Sequence, residues 1–211
     1  QGKIRNVYIQ IDITGYNANG YQWATSVLAS ETFSEFSTEK VFVEYINPLP
    51  TDATNGYALW RLYGGYAKHQ GLYVVGEDQL YNVMEDLGGG QEDIYAAYRN
   101  YGDFLAAEND LTTWANDFWT VTNGIPYPTK LGTREAVTPN VQIPAVAAPG
   151  SDIVITGVTM FDRIILDADA KALGITVSNN VILVPETVPA GTTVNLVVQS
   201  AFDETKKVNL S

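Results

Sequence analysis

Cysteine is absent from the 211 residues, which excludes disulfide staples, thiolate metal sites and thiol nucleophiles. Histidine occurs once, at His69, so a Ser-His-Asp arrangement has one possible base. No nucleophile elbow accompanies it. In the context Lys68-His69-Gln70-Gly71, His69 reads as a solvated turn residue, and a zinc site there would have to draw its other ligands from carboxylates. Positive charge is scarce: 12 Lys and Arg stand against 24 Asp and Glu, a formal net charge of −12. Nucleic acid, whose ligands need a basic stripe to displace counterions, is therefore not an expected partner, nor is an anionic membrane surface. No apolar run reaches the roughly 18 residues of a membrane span.

What is present is a core-forming composition. The chain is 45% hydrophobic with a mean hydropathy of −0.06, enough to bury a substantial interior. Its aromatics are unevenly spread. All 13 Tyr, all four Trp and five of the seven Phe precede Thr138. Charge divides less sharply: residues 1–137 hold 17 acids and 8 bases, residues 138–211 hold 7 and 4. The contrast predicts two modules, an aromatic-rich acidic domain over 1–132 and a second over 138–211, with 133–137 as linker. Five prolines in 125–150 (Pro126, Pro128, Pro139, Pro144, Pro149) make that region an extended connector. The first residue is Gln1 rather than Met, which suggests a processed leader or propeptide.

Along the first module, residues 3–14 alternate as a half-buried strand, with Val7, Ile9, Ile11 and Ile13 on one side. Residues 16–20 read as a loop, 21–30 as a strand or short helix, and 40–46 as a second strand. Residues 55–76 read as strands around Gly64-Gly65, with 72–75 the clearest. The period then changes. Leu80, Val83, Met84 and Leu87 predict a helix ending at Gly88-Gly89-Gly90. Ile94, Tyr95, Tyr98, Tyr101 and Leu105 predict a second over 91–108. Leu111, Trp114, Ala115, Phe118 and Trp119 predict a third, begun by Asp110 and closed by Asn123-Gly124.

Residues 138–211 predict about seven short strands. Asn179-Asn180 supplies a two-residue hairpin turn, and residues 167–174 form a turn with at most one helical turn. The pattern Gly174-Ile175-Thr176-Val177, Asn180, Val184-Pro185, Ala190 to Val194 and Ala201 to Asp203 resembles the bacterial immunoglobulin-like (Big-type) domains. These occur on bacterial surface proteins and on tailed-phage virion proteins. The resemblance covers about a third of the chain and implies a spacer or surface-attachment module without catalysis. The fold class expected is thus an α+β N-terminal domain followed by an all-β immunoglobulin-like sandwich.

Ten acids and one base, Arg99, occupy residues 76–117. They could form a glycosidase carboxylate pair or, through Asp86, Glu92 or Asp93, a Ca²⁺ site. Helix starts and solvated faces account for the same acids, so no catalytic, metal or cofactor site is assigned. Tyr57, Trp60, Tyr63, Tyr66 and Tyr73, with Tyr16, Tyr21 and Trp23 around the first loop, are the candidate contact surface, because Tyr and Trp give large contact area at low entropic cost. The expectation is a non-enzymatic structural protein that self-assembles, a tailed-phage virion component on the capsid or tail surface. Its partners would be copies of itself or other virion proteins. The alternative is an exported bacterial adhesin or carbohydrate-binding module that stacks a host-surface glycan on the same rings.

Overall fold

The computed structural model describes residues 2–12, 26–29, 36–46, 61–63, 67–76 and 95–211. It divides into two compact units that interleave along the chain. Unit 1 comprises Gln1–Arg99, Thr113–Thr120 and Pro126–Pro128; unit 2 comprises Asn100–Thr112, Val121–Ile125 and Thr129–Ser211.

Unit 1 is built on a four-stranded sheet of β1 (Gly2–Asp12), β3 (Phe36–Ile46), β5 (Ala67–Val75) and β6 (Tyr95–Tyr98), in that order. Every neighbour is parallel. The chain also contributes β2 (Ser26–Ala29) and β4 (Arg61–Tyr63), which pair in parallel with each other. Gly2 lies opposite Phe36 and Ser26 opposite Arg61. Two successive passes of the chain are therefore stacked at nearly the same spacing in both sheets. Such stacking is how coiled repeat architectures bury a continuous core, here without a visible sequence repeat. The central strand carries the consequence: Val41, Phe42, Val43, Glu44 and Tyr45 are all buried, covering both faces. A strand of a parallel sheet covered on both sides reads as a near-continuous apolar run, and this one does.

Unit 2 contains two three-stranded antiparallel sheets. One has the order β10 (Asp162–Leu166), β13 (Leu196–Ser200), β14 (Lys207–Leu210). The other has the order β11 (Thr176–Ser178), β12 (Val181–Leu183), β9 (Asp152–Val154). They share one core of Ile155, Leu166, Ala170, Ile175, Ile182, Val188, Leu196 and Val198. The β11–β12 hairpin turns at Asn179, whose φ of 58° is the left-handed angle expected of that position. Helix α2 (Ala168–Ala172) is capped by Asp167, whose carboxylate accepts the Ala170 N–H.

The α+β expectation fails. Among the described residues only two short α-helices occur, α1 (Tyr101–Ala106) and α2, and strands dominate. The first predicted helix lies outside the described residues. The second divides into β6, which joins the parallel stack, and the six-residue α1, capped by Asn100. In place of the third there is a 3₁₀ turn at Thr112–Trp114 and then β7 (Trp119–Thr122). The reason is local. Asp110 accepts the Thr112 N–H, and Asn116 Oδ1 accepts the N–H groups of both Phe118 and Trp119. Short polar side chains thus take the backbone donors that a helix would have used. Asn123 and Gly124, at φ 51° and 80°, turn the chain between β7 and β8 (Ile125–Pro128) rather than closing a helix. The seven-strand, immunoglobulin-like count is also not reached. Residues 138–146 contribute one isolated bridge, Gln142 to Thr156, because prolines punctuate the segment and withhold donors.

Gly157 and Gly191 test how tightly unit 2 is closed. Both are left-handed, at φ 82° and 84°, but a Cβ on Gly157 would lie 2.2 Å from the Asn140 carbonyl oxygen whereas one on Gly191 meets nothing within 4 Å. Gly191→Ala is expected to cost about 1–2 kcal/mol from the backbone angle. Gly157→Ala adds a further ~1–3 kcal/mol for the clash. Denaturant midpoints of the two variants check the difference.

Candidate functional site: a creased sheet sealed by an aromatic strap

Three residues of the parallel sheet have left-handed backbones: Asn6 at φ 52°, Lys40 at 55° and Gly71 at 71°. Arg5 lies opposite Glu39 and Val7 opposite Val41, which sets Asn6 against Lys40. Glu39 opposite Gln70 and Val41 opposite Leu72 sets Lys40 against Gly71. One left-handed residue on each of three neighbouring strands, all at one register, bends these three of the four strands at the same level. The sheet is creased along that line. Glycine takes the angle freely and asparagine tolerates it, but a lysine there is uncommon.

The segment Thr113–Thr120 lies along the crease and touches all three positions. Trp119 Nε1 donates to Asn6 Oδ1 at 3.2 Å. Lys40 Nζ donates to the Thr113 carbonyl oxygen at 2.7 Å. Trp114 fills the space over Gly71, where an added Cβ would come within 3.1 Å of its ring. Trp114 also stands edge-on to Tyr73 at 5.6 Å and tilted against Trp119 at 5.3 Å, and Phe118 packs edge-on to Trp119. Both indoles are buried. A polar network continues along the same side. The Tyr8 hydroxyl donates to Glu44 Oε2, Gln10 Nε2 donates to that oxygen at 3.2 Å, and Tyr127 meets the Tyr8 ring edge-on at 5.4 Å. On β1 and β3, Lys3 and Arg5 both pair with Glu39, whose carboxyl is held below its ordinary value, chiefly by the hydrogen bond from Lys3.

Unit 2 has its own aromatic assembly. The Arg134 guanidinium lies 4.1 Å from the Phe202 ring centre, 5.3 Å from that of Tyr101 and 5.7 Å from that of Phe161. Its Nη1 donates to the Tyr101 hydroxyl at 3.1 Å. Cation–π attraction of this kind strengthens where water is partly excluded. It anchors the 133–137 stretch within unit 2.

Of the candidate contact residues, Tyr16, Tyr21, Trp23, Tyr57, Trp60 and Tyr66 lie outside the described residues, as do Asp86, Glu92 and Asp93. Tyr63 lies in β4, where only the backbone is described. Tyr73 lies in β5, half-buried, with its ring spent on Trp114. His69 falls inside β5, opposite Thr38 of β3, and not in a turn. Sequence reasoning missed the crease. Asn6, Lys40 and Gly71 share no residue type, and only the strand register brings them together. Among the described residues no three His, Asp or Glu side chains gather as a metal-binding group, and no helix is long and apolar enough to cross a membrane.

The strap is expected to dominate the stability of unit 1. Trp119→Ala should cost about 3–5 kcal/mol through the void it leaves. Asn6→Ala should cost about 1–3 kcal/mol by leaving the buried indole N–H without its acceptor. Equilibrium denaturation of both variants measures the two effects.

No family model, curated protein or solved structure matches the chain.

Proposed function

We propose that this chain is a non-enzymatic structural protein that assembles with copies of itself, a component of a tailed-phage virion exposed on the capsid or tail. The observation that carries this reading is the use to which four of the described carboxylates are put. Asp110 accepts from the Thr112 hydroxyl and N–H, and Asp203 from the Thr205 hydroxyl and N–H. Asp167 accepts from the Ala170 N–H and from Asn195. Each is held below its ordinary value by these bonds: for Asp110 and Asp203 the Thr hydroxyl contributes most, and for Asp167 the Ala170 N–H. A glycosidase acid needs the opposite, a carboxyl pushed upward so that it holds a proton near neutrality. Together with the salt-bridged Glu39, these acids are turn locks and surface pairs, fit for a durable scaffold. The Big-type resemblance of the C-terminal run supports a virion-surface setting, as does the acidic composition, which keeps a concentrated protein soluble.

Two expectations follow. A group whose folded value is depressed stabilises the fold above its ordinary value, and that stability is lost as pH falls through the folded value. Unfolding free energy should therefore change little down to the ordinary values of 4.5 for Glu39 and 3.8 for the aspartates. It should fall below them, and Asp167→Asn and Asp203→Asn should flatten that acid limb in denaturation curves taken across pH. Sedimentation over a wide concentration range should show self-association; a strict monomer at the highest concentration, with no virion association, overturns the reading.

A further inference from the structure

Unit 2 carries two apolar features that its own packing does not use. The first is the run 144–149, Pro-Ala-Val-Ala-Ala-Pro, in which every residue is exposed, Val146 to 87%. Single exposed apolar residues are ordinary, but six in succession call for a partner. The run is held in place at both ends. Gln142 bridges to Thr156 before it, and after it the Ser151 N–H and hydroxyl both donate to the Ala148 carbonyl oxygen. Among the described residues, no backbone carbonyl accepts from Ala145, Val146 or Ala147. The second feature is a groove of about 380 Å³ beside β10, β13 and β14, at the level where the register sets Leu196 against Leu210. Ile165, Leu196, Val197 and Leu210 line it, with Asn195 and Asn209. β14 is the last strand of its sheet, so its outer edge has no ladder partner among the described residues.

We propose that the 144–149 run of one copy seats in the groove of the next, with Val146 entering it and the backbone lying beside the β14 edge. The proposal rests on the self-assembly reading and names its contact. The run does not fill the groove of its own chain, since all six of its residues are exposed. Charge argues for a second copy. Chains that each carry a net charge of −12 repel unless they meet where acids are absent or spent. Residues 136–151 hold no charged side chain, and neither do residues 187–202, which supply the β13 wall of the groove. The β14 wall is entered through Lys206 and Lys207. The one acid lining the groove, Asp167, already accepts from Ala170 and Asn195. An extended segment laid along a strand edge, with a side chain in an adjoining pocket, is a recurring mode of peptide recognition. Because the contact joins two different surfaces it is heterologous, and it repeats into rings or filaments.

The test compares sedimentation of the full-length chain, Val146→Asp and Val137→Asp over a wide concentration range. Val146→Asp should raise the concentration needed for half association about tenfold or more, since a buried valine is lost from the contact. Val137→Asp, at a 70% exposed position outside the run, should leave it within about twofold. Absence of cysteine allows a second arm. Full-length Val146→Cys and isotopically heavy full-length Asn209→Cys, both at exposed positions, are mixed and treated with a short bis-maleimide. Docking predicts a covalent dimer of mixed mass that increases with concentration and is lost when Val137→Cys replaces Val146→Cys. If oligomers form but Val146→Asp associates like the parent chain, or Val137→Asp weakens association equally, or the mixed dimer does not depend on position 146, the docking is overturned and self-assembly stands. If sedimentation shows only monomer, both are overturned.

Discussion

Unit 1 depends on a coincidence of register. Left-handed angles at Asn6, Lys40 and Gly71 would each be a local irregularity in an isolated strand. Stacked on neighbouring strands, they become one continuous bend. A bend shared by β1, β3 and β5 preserves their ladder, since neighbours turn together, and it leaves a seat on one side for the indoles. Trp114 and Trp119 fill that seat. Lysine disfavours the left-handed region, so Lys40 carries a backbone cost. Its ammonium contact with the Thr113 carbonyl offsets part of that cost. The strap and the crease are mutually dependent: without the bend the indoles have no seat, and without the indoles the bend exposes apolar sheet.

Polar burial follows the same logic. Glu44 is fully buried on the central strand, which would be costly for a bare carboxylate. Register supplies its donors, because Gln10 lies directly opposite and Tyr8 two residues away on the same face of β1. Tyr127, from the far side of the hairpin turn, packs on Tyr8. Residues distant in sequence are thus held by one parallel alignment, and a one-residue slip would invert every one of these contacts.

How much of this was legible in the sequence depended on the range of the interactions. The strand expected over 3–14, described as far as Asp12, the strand at 40–46 and the run at 72–75 were visible because alternation and β-branched runs are local signals. So was the Asn179 turn. The third predicted helix does not form because the spacing of Leu111, Trp114 and Trp119 marks burial, and burial alone does not specify the backbone that achieves it. Leu111, Trp114 and Trp119 are buried as a core stripe should be, while Phe118 is partly exposed. Asp110 and Asn116 carry the contrary signal, since each redirects backbone donors away from a helix. Asn123-Gly124 was a hairpin signal read as a helix stop. The crease could not be read at all from one sequence, because Asn6, Lys40 and Gly71 are equivalent only through the pairing of three strands.

The two units solve the same problem by different chemistry, and this bears on what each can do. Unit 2 closes two small sheets over an aliphatic core and fixes its periphery with capping aspartates and the Arg134 cage. Those interactions are satisfied within short stretches or within the unit's own sheets. Unit 1 instead requires a segment that the chain delivers only after entering unit 2, so the creased part of its sheet is covered late in the sequence. A face completed in that way discriminates strongly for its filler, since an indole N–H, a carbonyl and a ring must arrive together. Among the described residues, the crease and its strap place the distinctive side-chain chemistry in the parallel stack rather than in the C-terminal sheets.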